Sequence, residues 1–153
     1  MKTKLLVLLA VIASVCTVSC GYADIGRANR VKKQYIAQME TAQAELRTFH
    51  VVLTPEEEAY IVSLARAEAF CRAVQVQKEW NFEIPLLEER AAIARVNALL
   101  PSVELDEQKS AYAQTYVKMC TYWATAKTIQ IWLELAKGRT RESFGDIPKL
   151  NDY

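Results

Sequence analysis

Thr54-Pro55-Glu56-Glu57 is the stretch that decides the fold. Thr54 can cap the free amides of a first helical turn, Pro55 suits a position whose N–H would be unpaired anyway, and Glu57 can reach back to the Thr54 N–H. Together they spell a helix start. Downstream, Ile61, Leu64, Ala67, Cys71 and Val74 recur in helical steps and form an inner stripe that carries this helix to about Trp80. Upstream, Ala28, Val31, Tyr35, Met39, Ala42 and Leu46 repeat the spacing, which predicts a first helix from Asp24 to about His50.

The remaining chain follows the same grammar. Asn81 to Ile84 form a connection, because Pro85 cannot continue the preceding helix and disfavours helical geometry at Ile84. Pro85 opens a third, shorter helix through Leu100. Its apolar residues, among them Leu86, Leu87, Ile93, Val96 and Leu99, fall on more than one side, which predicts a largely buried element. Pro101 stops it and Asp106 is placed to cap the longest helix, Glu107 to Lys137. That helix carries Tyr112, Tyr116, Met119, Cys120 and Trp123 on its stripe and ends at Gly138. Strand-like alternation is absent, and Ala, Leu, Glu, Gln, Lys and Arg dominate. The reading is all-α: a small bundle of about four helices over residues 20–138. The polar tail, 139–153, is expected to pack loosely or not at all.

The first twenty residues read differently. Lys2 and Lys4 lead into an uncharged apolar run from Leu5 to Val18, which closes on Ser19-Cys20-Gly21. A basic start, a greasy segment and small residues at its end form an export signal. With Thr17-Val18-Ser19-Cys20 at the junction, the segment resembles a bacterial lipoprotein signal, although Thr17 stands where that family usually has Leu. The resemblance implies removal of residues 1–19, a lipid on Cys20 that tethers the chain to a membrane, and, with Gly21 rather than Asp next, the periplasmic face of the outer membrane. Cleavage after Ala23 is a second reading, giving a soluble periplasmic or secreted product that starts at Asp24. A third is an uncleaved anchor, since Leu5 to Ala23 is 19 residues without a charge, close to the roughly 20 that span a bilayer.

Charge narrows the partners. Without Lys2 and Lys4 the chain has 17 basic and 18 acidic side chains, a net charge of −1. That is no footprint for nucleic acid. Arg27, Arg30, Lys32 and Lys33 form a local basic cluster that would sit beside anionic headgroups in a tethered protein; a solvated helix face is the plainer account.

Two cysteines fall inside the domain, Cys71 and Cys120, each near the middle of a predicted helix and on its apolar stripe. In an oxidising compartment such a pair predicts a disulfide. Its loop of 49 residues would add about 4 kcal/mol in the chain-entropy model.

Catalytic and metal-binding patterns are missing. His50 is the only histidine, and no CxxC, HExxH or glycine-rich phosphate loop occurs, so neither a metal nor a cofactor is expected. Aromatic residues are the better lead. They crowd the second and fourth helices on more than one face, so Tyr122 and Trp132 are expected near the surface as anchors of a protein interface, unless they simply widen the core. The functional expectation is a non-enzymatic protein, membrane-tethered or periplasmic, that binds another cell-envelope protein as adaptor, inhibitor, or exclusion or immunity factor. A carrier of a small apolar ligand between helices, lined by Met39, Met119 and aromatic side chains, is the alternative. An envelope hydrolase working through carboxylates, with Glu57, Glu58, Glu68 and Glu142 as the candidates, is the third. The oligomeric state stays open.

Overall fold

The computed structural model describes residues 2–101, 103–139 and 143–153, with side chains from Asp24 onward. It is all-helical: α1 (Lys2–Leu46), α2 (Pro55–Glu79), α3 (Leu87–Leu99) and α4 (Glu107–Ala136), with a 3-10 turn at Leu150–Asp152. No strand occurs among the described residues. The stretch read as an export signal, its expected cleavage points and Cys20 lie outside the described side chains, and Glu142 lies outside the described residues.

Both expected caps form. The Glu57 N–H donates to Thr54 Oγ1 at 3.2 Å and the Thr54 N–H donates to Glu57 Oε2 at 2.9 Å, closing the capping box with Pro55 at the start of α2. Asp106 Oδ1 accepts the Lys109 N–H at 2.8 Å at the head of α4. The same Glu57 carboxylate accepts from Lys109 Nζ at 2.9 Å, so the two helix starts lie side by side. At the other ends of these helices Trp80 and Trp132 meet edge to face, 5.1 Å between centroids. Helices α2 and α4 therefore run parallel. Helix α1 is antiparallel to α4, with Lys32 Nζ 2.7 Å from Gln130 Oε1 at one end and Glu45 beside Thr115 at the other. The packing order is α1, α4, α2, α3, so α3 is an outer helix that leans on α2.

The tight connection before α3 has its own internal brace. Gln77 is buried on α2, and its Oε1 accepts the Ile84 N–H at 2.9 Å, so a buried amide holds the loop against the bundle. Asn81 and Leu86 both take left-handed backbone angles, φ 52° and 63°. For a leucine this is a strained choice of about 1–3 kcal/mol.

The C-terminal segment corrects the expectation of a loose tail. Phe144, Ile147 and Leu150 are buried in the main core. Phe144 wedges between Phe70 and Trp123, 5.5 and 5.3 Å from their ring centroids. Farther along, Arg66 forms a two-pronged pair with Asp146 (both contacts 3.0 Å), Tyr116 Oη donates to the Pro148 carbonyl at 2.6 Å, and Gln43 Nε2 donates to Tyr153 Oη at 3.0 Å. Those partners belong to α2, α4 and α1 in turn. The segment is thus a strap that climbs the bundle from the Trp80–Trp132 end to the capped end.

The expected disulfide is corrected too: Cys71 and Cys120 are free thiols. Both belong to the main core, but among different neighbours. Cys71 is half-buried, with Glu68 and Arg95 as its charged neighbours, whereas Cys120 is fully buried beside Tyr116 and Asp146. Burial pushes the Cys120 thiol up to about 12 and raises Cys71 as well, so neither is poised as a thiolate. Alkylation in denaturant without reductant is expected to label both residues. Peptide mapping that finds a linked Cys71–Cys120 peptide would refute the free-thiol state.

Candidate docking surface

Helix α3 packs with Leu87 and small residues and shows its other large apolar side chains to solvent. Its buried positions are Leu87, Ala91 and Ala94, one turn apart along one stripe, with Ala98 partly covered. On the opposite side Ile93, Val96, Leu99 and Leu100 are 61%, 58%, 83% and 76% exposed. The breadth that predicted a largely buried helix is real, but only the small-residue side is used, because α3 has α2 on one flank and solvent on the other. Three branched side chains of this 13-residue helix, with Leu100 at its C-cap, give one face an apolar character of the kind that marks interaction sites. Ile93, Val96 and Leu100 fall at helical anchor spacing.

A groove of about 580 Å³ adjoins this face, lined by Arg66, Phe70, Arg90, Ile93, Asn97 and Asp146 among others. Arg90 stacks over Phe70, 4.6 Å to the centroid, and donates to the Gly145 carbonyl of the strap. Burial works against the charge of Asp146, yet the Arg66 guanidinium and the Ile147 N–H together hold its carboxyl below the usual range. Polar groups therefore frame the apolar face on the strap side.

The residues singled out in the sequence fall elsewhere. Tyr122 is half-buried, its ring 6.1 Å from Tyr35 of α1. Trp132 is half-buried against Trp80, whose other neighbour is the Arg27 guanidinium at 4.8 Å. Both pair with aromatic rings of neighbouring elements. Within the basic cluster, Lys32 is turned to Gln130 while Arg27, Arg30 and Lys33 are exposed. Sequence reasoning missed the α3 face, although a signal existed: its large apolar residues lie off the Leu87-Ala91-Ala94 stripe.

The other chemistries find less to build on. Met119 is fully buried in the core and Met39 partly so, and the two contribute to packing. A groove of about 570 Å³ does open between α2 and α4, lined by Tyr60, Leu64, Val103, Leu105 and Val117. Glu57 is occupied as cap and ion-pair partner, and the hydrogen bond from Lys109, with that from the Thr54 N–H, holds its carboxyl below the ordinary range. Among the described residues no group of three His, Cys, Asp or Glu side chains could hold a metal, and no helix is long and apolar enough to cross a membrane. No family model matches the chain, and no curated protein or solved structure shows significant similarity to it.

Proposed function

We propose that the protein is a non-catalytic helical module of the cell envelope, membrane-tethered or periplasmic, that docks another envelope protein on the outer face of α3. The observation that carries this reading is the exposure of Ile93, Val96, Leu99 and Leu100 on one helix face. Removing such a patch from water is worth about 25 cal/mol per Å², a driving force the isolated chain leaves unused. The export signal read from Lys2 to Cys20 supplies the compartment, and the lipoprotein resemblance supplies the tether. Adaptor, inhibitor, and exclusion or immunity factor all fit such a module.

The test is a photo-crosslinker placed at Leu99 in the intact chain within its own host envelope. A discrete adduct is expected, and it should be lost when Val96→Glu and Leu100→Glu are combined, with helicity unchanged because both side chains are exposed. No adduct from Leu99, alongside the same result from Ile93, would sink the proposal. The groove between α2 and α4 favours a second reading, a carrier of a small apolar ligand, which an extra mass on the native protein would support.

A further inference from the structure

We propose that the end of the bundle where α1 enters and α4 finishes rests on an anionic bilayer surface. It concerns a different part of the molecule from the α3 face and does not depend on what α3 binds.

Charge is sorted along the bundle axis. At the capped end, in 40–58, 103–112 and 149–153, nine Asp and Glu face three Lys and Arg. Around the Trp80–Trp132 end, in 24–33, 76–90 and 127–139, the balance reverses to nine Lys and Arg against six Asp and Glu. Half of the acids of this second group, Glu83, Glu88 and Glu89, lie in or just before α3, whereas the α1 and α4 stretches carry seven Lys and Arg against two Asp and Glu, which leaves that side basic. There Arg30, Lys33 and Lys137 are exposed and form no ion pair among the described residues. A near-neutral chain thus carries a cationic end and an anionic end.

Two further features select a bilayer over other polyanions. First, Arg27 stacks on Trp80, which abuts Trp132, and these half-buried rings close a small apolar cluster with Ile25, Ala28, Ile129 and Leu133. Amphipathic tryptophans beside cations suit the headgroup layer. Second, the uncharged run Leu5 to Val18 precedes Asp24 in the chain, so the segment read as signal, anchor or lipid junction joins the bundle at this end. Any tether made by that segment brings these cations, and not the acidic cap, to the surface. The acids of the capped end are repelled from the same surface, so the two ends together set one orientation.

The experiment uses the full chain with vesicles of phosphatidylcholine alone or mixed with phosphatidylglycerol. The apolar N-terminal run contributes to both, so the quantity read is the ratio of the two affinities. Anionic lipid is expected to tighten binding by about tenfold at low salt, with the gain lost at high salt. The double variant R30Q/K33Q should lose most of that gain. The double variant Q108E/Q114E changes net charge by the same amount at exposed positions toward the opposite end and should keep it. An affinity ratio near one, equal losses in the two variants, or equally tight salt-sensitive binding to duplex DNA would each overturn the proposal.

Discussion

Replacing Phe144 by alanine is expected to destabilise the protein by about 3–5 kcal/mol, the usual range for removing a large buried aromatic side chain. Phe144 is only 2% exposed, and it is the side chain on which Phe70, Trp123 and the Arg90 guanidinium converge. Without the ring the strap keeps Ile147 and Leu150 but loses the wedge between α2 and α4. Single domains hold about 5–15 kcal/mol in total, so such a loss is a large share of the stability. Urea unfolding followed by circular dichroism should show the midpoint falling with little change in slope. A midpoint that barely moves would mean that the strap is not part of the cooperative core. Phe144→Leu, which refills much of the space, should recover a good part of the loss.

Leu87→Ala carries the second large effect, about 2–4 kcal/mol, and its character should differ. Leu87, 1% exposed, is the one large side chain that α3 buries; Ala91 and Ala94 bury only methyl groups. The loss should therefore fall first on α3 itself. Hydrogen exchange is expected to speed up across Leu87–Leu99 while α1, α2 and α4 keep most of their protection, the pattern of a local opening. Uniform acceleration across all four helices would show instead that α3 is fused to the global fold. Leu99→Ala is the natural control, since a side chain 83% exposed should change stability by no more than about 0.5 kcal/mol.

These two residues also mark how far the sequence could be read. Helix starts were legible wherever a local rule sufficed: Thr54 with Glu57, and Asp106 before α4, form the caps their side chains predict. Boundaries of α2, α3 and α4 came within a few residues for the same reason, whereas α1 runs on from Lys2 instead of starting at Asp24. What escaped was anything set by which helix sits beside which. Periodicity placed Cys71 and Cys120 on apolar stripes, but a stripe does not say which neighbour it faces, and these two face different ones. The breadth of apolar residues on α3 was visible, whereas its place at the edge of the bundle, which turns half of them outward, was not. The tail misled because its polar residues dominate the count. Its apolar residues, Phe144, Ile147 and Leu150, recur every third position, a weak signal that only the cleft they enter makes meaningful. Tyr122 and Trp132 stand out because the aromatics fall on more than one helix face, and each meets another aromatic ring, Tyr35 or Trp80, that spacing alone could not assign to it.

The strap also bears on the speed of folding. Helices α1 to α4 form from contacts close in sequence, whereas the strap joins residues far apart: Gln43 meets Tyr153 and Arg66 meets Asp146 across 110 and 80 positions. Contacts of such separation carry the chain-closure entropy that slows folding. Helicity is therefore expected to rise ahead of core closure, with Phe144, Ile147 and Leu150 among the last side chains to be enclosed.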